Sequence, residues 1–124
     1  MLIDHRGNVK LIDFGFSTCI PNDKKVKLFC GTPSYMAPEI VSKTEFCGPP
    51  TDIWATGVLL YTFFNGCFPF RGSSDEELYS KICRGDFNIP DHVPKGAADL
   101  LRKLIRVKAD ARPTSAEIYC EPWI

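Results

Sequence analysis

The residues best placed to do chemistry begin at Asp13. It closes the apolar run Val9-Lys10-Leu11-Ile12 and is followed by Phe14 and Gly15. A carboxylate is a hard oxygen donor of the kind that a divalent cation takes. Taken alone, an Asp at a strand end also turns or caps the chain, and a lone Phe14 reads as core. Further on, Cys30-Gly31-Thr32-Pro33-Ser34-Tyr35-Met36 runs directly into Ala37-Pro38-Glu39. Thr32-Pro33 is a turn former in its own right. Glu39 and Arg112, far apart in sequence, would by themselves be read as solvated and unrelated. Asp52, ahead of Trp54 and Gly57, suits the first turn of a helix, where the dipole favours a carboxylate.

Together, Asp13-Phe14-Gly15 after an apolar strand and Ala37-Pro38-Glu39 after Gly31-Thr32-Pro33 resemble the activation segment of serine/threonine protein kinases. The nearest group is that of the calcium/calmodulin-dependent and AMP-activated kinases. The resemblance covers essentially the whole chain. It implies ATP and Mg²⁺ as cofactors of the complete domain, with Asp13 as metal ligand and Phe14 and Gly15 beside it at the cofactor. It implies a protein substrate with a Ser or Thr acceptor. Thr32 and Pro33 would then lie by the acceptor hydroxyl, and Tyr35 and Met36 would line the pocket for the residue after it, although either could equally be buried packing. Phe14 would pack between lobes. Glu39 would take a bidentate contact from Arg112, of the kind that suits burial. Asp52 would accept hydrogen bonds from the backbone of a catalytic loop.

Other parts of such a kinase are not found among these residues: the Gly-rich loop, the strand lysine with its helix glutamate, and the loop that supplies a base. The expectation is therefore of a partial kinase domain over 1–124. Its activation segment is 13–39, its C-lobe helices lie within 38–124, and an upstream in-frame extension carries a His-Arg-Asp type loop. A different class of reading is a non-catalytic, pseudokinase-like interaction module. Three departures from the group stand out. Lys108-Ala109 replaces an Asp-Pro, Glu121-Pro122-Trp123 replaces a His-Pro-Trp, and Leu28 stands where relatives carry a phosphorylatable threonine.

Composition adds exclusions. With 15 basic and 15 acidic residues the formal charge is zero, so no footprint for nucleic acid or an anionic membrane is visible. Six cysteines fall at 19, 30, 47, 67, 83 and 120 without zinc or paired spacing. That favours a reducing compartment, the cytoplasm or the nucleus. The apolar stretch 53–64 is too short to span a bilayer, which needs about 20 residues, and reads as a buried core helix.

The elements that must position these residues are mainly helical, after one short hairpin. Strands are predicted at 1–3 and 9–12, joined by a loop whose Gly7 and Asn8 suit positive φ. A short helix is predicted at 38–43 with Pro38 in its first turn, and Gly48-Pro49-Pro50 is expected to break the chain. Thr51 then caps the buried helix, which Asn65-Gly66 ends. Capping boxes Ser74 to Glu77 and Thr114 to Glu117 place helices at 75–84 and 115–120. Between them Ala97, Leu100, Leu101, Leu104 and Ile105 recur at helical spacing. The fold class is therefore mainly α, and the resemblance implies a kinase-like C-lobe from a parent α+β fold of two lobes.

Overall fold

The computed structural model describes residues 1–20 and 24–124. Strand β1 (Leu2–Ile3) pairs antiparallel with β2 (Val9–Lys10), Leu2 opposite Lys10 and Ile3 opposite Val9. Both strands are shorter than predicted, because Leu11 and Ile12 have no strand to pair with. Gly7, at φ +82°, makes the tight turn. Asn8 does not share that conformation. Its backbone N–H and its Nδ2 instead donate to the Asp4 carboxylate, as does the Arg6 N–H, at 2.9 to 3.1 Å. The Asn8 backbone bond, foremost among these contacts, holds the Asp4 carboxyl below its ordinary value.

After a 3₁₀ turn at Pro33–Tyr35, five helices build the body: α1 (Pro38–Val41), α2 (Gly48–Asn65), α3 (Asp75–Arg84), α4 (Lys95–Leu104) and α5 (Ser115–Tyr119). The start of α2 corrects the predicted boundary. Gly48-Pro49-Pro50 does not break the chain but forms the first turn, with Cys47 as the extended N-cap residue. Proline costs nothing there, since the first-turn N–H groups have no helical partner. Thr51 therefore lies inside the helix, with its hydroxyl free for another contact. The far end is as predicted: Gly66, at φ +63°, donates its N–H to the Thr62 carbonyl at 2.8 Å.

The core gathers around α2. Trp54 and Val58 are fully enclosed, and Ala97, Leu100, Leu101 and Leu104 present the buried face of α4. Trp54 stacks on Phe70 at 5.6 Å, and Phe70 meets Phe87 at 5.6 Å. A Cβ placed on Gly57 would lie 2.8 Å from Ile105 Cγ1 and 2.8 Å from Leu104 Cβ, so this glycine lets α2 approach the end of α4. Among the described residues no helix is long and apolar enough to cross a membrane.

The two capping motifs behave differently. Thr114 and Glu117 form the full reciprocal box. At α3, Ser74 accepts from the Glu77 N–H at 3.2 Å, but the Glu77 carboxylate bonds Ser73 instead, at N and Oγ, both 2.7 Å. Lys81 stands one turn along at 2.8 Å, and that bond, followed by those from Ser73, lowers the Glu77 carboxyl to about 2. The C-terminal departures also have local roles. Glu121 binds Lys103 Nζ through both oxygens at 2.7 and 2.8 Å, and the Trp123 ring lies against Gly96.

Gly57→Ala tests how tightly the two helices meet. Overpacking costs about 1–3 kcal/mol and helix propensity returns about 1 kcal/mol, so a net loss is expected, measured as a lower urea midpoint. An unchanged or raised midpoint would show that the helices can part.

Candidate active site

Asp13 emerges from β2 in the left-handed region, at φ +62°. A non-glycine residue there is strained, and such strain gathers at working sites. Its Oδ1 accepts the Gly15 N–H at 3.3 Å, and the Ser17 N–H donates to the Phe14 carbonyl at 3.0 Å, so the chain curls around the carboxylate. Oδ2 accepts nothing from the described residues. Phe14 is 67 % exposed, so within this chain its ring has little to pack against.

The segment after Asp13 folds back across the head of α2. Asp13, Phe16, Leu28 and Cys30, with Ile40, Phe46, Thr51 and Asp52, line a cleft of about 390 Å³. Two carboxylates distant in sequence, Asp13 and Asp52, thus share one opening. Desolvation beside that cleft raises the Asp52 carboxyl above its ordinary value, although the residue stays exposed. No donor among the described residues reaches its side chain, so nothing offsets the desolvation.

Thr32 is extended, at φ −79° and ψ 125°, and its carbonyl accepts the Tyr35 N–H at 3.0 Å. Its side chain caps nothing and is exposed. Gly31, at φ +113°, and Pro33, which opens the 3₁₀ turn, hold Thr32 on the surface. Tyr35 meets Phe68 edge-on at 5.2 Å, and Met36 is buried in the core at 5 % exposure. Of this run, then, Thr32 faces solvent and Met36 faces inward.

The base of the segment is fixed by charge. Arg112 Nη1 and Nη2 donate to the two Glu39 oxygens at 2.7 and 2.8 Å, across 73 positions of sequence. Nη1 also donates to the Pro50 carbonyl, Nη2 to that of Val107, and Nε to that of Arg106. All five N–H groups of the guanidinium are therefore used, and its Cζ lies 5.1 Å over the Trp54 ring. Arg112's side chain has no exposure and Glu39's has 11 %. Thr51, not needed as a cap, donates to Glu39 Oε1 at 3.0 Å. Burial by itself pushes the Glu39 carboxyl up. The bonds from Arg112, its own backbone and Thr51 outweigh that, and the net effect is downward.

Sequence reasoning did not find the Thr51 contact, nor the backbone bridge between Val26 and Phe46, whose N–H groups donate to each other's carbonyls at 3.0 and 2.9 Å. A two-residue bridge leaves no periodicity to read. Three or more potential metal ligands nowhere come together among the described residues. Asp13 itself, an exposed carboxylate with an uncommitted oxygen, has the hard-donor chemistry that Mg²⁺ takes.

The model of the protein kinase domain family matches residues 1–124. The chain belongs to the protein kinase family. Among curated proteins it is 37 % identical over 123 residues to sucrose non-fermenting protein kinase 1 of Fusarium virguliforme, covering 99 % of this chain and 18 % of that protein. It is 36 % identical over 124 residues to probable serine/threonine-protein kinase MARK-A of Dictyostelium discoideum, covering 100 % and 12 %. It is 39 % identical over 124 residues to putative sperm motility kinase W of Mus musculus, covering 100 % and 25 %. The chain thus spans a quarter or less of the length of these relatives.

Two expectations follow for the ion pair. Arg112→Ala should cost roughly 3–5 kcal/mol in urea unfolding, because Glu39 is left buried and unpaired; a loss within error would show the pair to be energetically idle. A carboxyl lowered by folding contributes stability above its ordinary value of 4.5 and loses it as pH falls through the folded value. Stability measured from pH 6 downward should therefore fall more steeply below about 4.5 in the parent protein than in Glu39→Gln. Parallel curves would contradict this.

Proposed function

We propose that these residues are the activation segment and helical lobe of a serine/threonine protein kinase that transfers the γ-phosphoryl of ATP to protein hydroxyls. One observation carries this reading. A single segment bears Asp13 in the cleft and the exposed Thr32 two residues beyond the cleft-lining Cys30, and the buried Glu39–Arg112 pair anchors its base. Asp13 is the residue that would hold Mg²⁺ here. When bound, Mg²⁺ supplies positive charge to the phosphate oxygens on which negative charge gathers.

The chain's own residues do the positioning. The Gly15 N–H holds Oδ1 of the Asp13 carboxylate and leaves Oδ2 uncommitted. The free hydroxyl of Thr32, on its short turn, orients the acceptor hydroxyl of a Ser or Thr in a protein substrate, with Pro33 and Tyr35 flanking it. Asp52, carrying no donor, is open to backbone N–H groups of a catalytic loop. These 124 residues hold one carboxylate for the metal but no Gly-rich loop, strand lysine or base, so by themselves they transfer no phosphate. The balanced composition suits the cytoplasm or the nucleus.

The test is phosphate transfer from ATP to a Ser/Thr peptide by the full protein that contains these residues. Activity is expected, and Asp13→Asn should abolish it while circular dichroism shows the fold kept. Activity undiminished in that variant would overturn the role of Asp13. A folded parent that transfers nothing would point to the interaction module instead. The isolated 124 residues should show no transfer.

A further inference from the structure

Lys43 occupies a conformation that a lysine does not favour. It follows the Ser42 cap of α1 at φ +54°, in the position after a helix where glycine is the unstrained choice, and donates its N–H to the Ile40 carbonyl at 2.9 Å. Among the described residues only Asp13 and Lys43 are non-glycine with positive φ. Glycine would supply the same backbone without strain. The lysine makes no ion pair with any described residue. What it does is place its ammonium over the Phe29 ring, 5.2 Å from the centroid.

Phe29 is also met by Tyr79 of α3, edge to face at 6.2 Å and 86°. Three residues later comes Thr32, whose position must be set if an acceptor hydroxyl is to be oriented. The Val26–Phe46 bridge ties the start of the same stretch to the chain just beyond Lys43. Lys24, Lys25 and Lys27 are exposed and make the stretch basic. A phosphate could order such a basic segment through charge-assisted bonds. Yet no Ser, Thr or Tyr occurs between Cys19 and Phe29 to carry one.

We propose that Lys43, Phe29 and Tyr79 form a cation–aromatic clamp that holds Cys30 to Thr32 in its working position in place of a phosphate. This rests on the kinase reading. The three are positioning residues, acting on the substrate through Thr32. The contacts assign the role to Phe29 with Lys43 and Tyr79, while Leu28 lies open in the cleft.

The test uses the full protein, phosphatase-treated, beside Lys43→Gly and Lys43→Arg. Two things are measured: hydrogen exchange at the Val26 and Phe46 amides, and steady-state kinetics on a Ser/Thr peptide. Phosphatase is expected to change neither. Lys43→Gly should keep or raise Tm, since strain is relieved, yet speed exchange at Val26. It should also lower kcat/KM about three- to five-fold through the peptide KM, with the KM for ATP unmoved, as loss of one exposed cation–π contact implies. Lys43→Arg should restore both readouts. Exchange that quickens on phosphatase treatment, or a Lys43→Gly protein with unchanged exchange and peptide KM, would overturn the clamp. Protected Val26 and Phe46 amides that quicken only in Lys43→Gly, in a protein that transfers no phosphate, would uphold the clamp and sink the kinase reading.

Discussion

Arg112 is the constraint on which the other elements depend. A guanidinium removed from water is tolerable only when its charge is matched and its donors are all used. Here Glu39 matches the charge, and the carbonyls of Pro50, Arg106 and Val107 take the remaining N–H groups. Those partners come from the end of the segment that bears Thr32, from the head of α2 and from the loop after α4. One planar side chain therefore sets three parts of the chain in register. The Trp54 ring beneath it extends that register into the aromatic stack with Phe70. Because the fork is rigid, a shift of any one partner would unmake bonds to the others, which is why the site can be held by so few charges.

Away from that anchor the balance changes. The helical body hides Trp54, Val58, Leu101 and Leu104 almost completely, whereas Leu2, Ile3, Val9 and Leu11 of the hairpin region are each more than half exposed. The hairpin is held by four backbone-paired residues and the Asp4 contacts alone, so its local stability is far below that of the body. Asp13 sits between these regimes: its backbone strain is sustained by the short turn to Gly15, not by packing. A carboxylate held in this way stays accessible.

The basic stretch shows how a surface segment can be ordered by few contacts. A two-bond backbone bridge, one edge-to-face pair and one cation over a ring are each weak in water. They act together because all converge on the residues leading to Gly31 and Thr32. Contacts of this kind fix position at little cost in burial, which leaves the cleft beside them open.

What the sequence determined by itself was local or modular. Helical spacing around Leu100 and Leu104, the Ser74 and Thr114 caps and the Gly66 stop are each written in neighbouring residues, and each helix stands where they put it. The bracket from Asp13 to Glu39 identified the family, because its residue types recur at set spacing. Tertiary structure decided the rest. Where α2 begins turned on Pro49 and Pro50 being harmless in a first turn, which left Thr51 free for Glu39. The Glu77 carboxylate chose Ser73 over the reciprocal box because two donors of one residue were better placed. That Asp13 and Asp52 share a cleft, and that Lys43 spends backbone strain to cover Phe29, depends on segments remote in sequence meeting in space. Such pairings carry no periodicity and no local propensity, so only the folded chain reveals them.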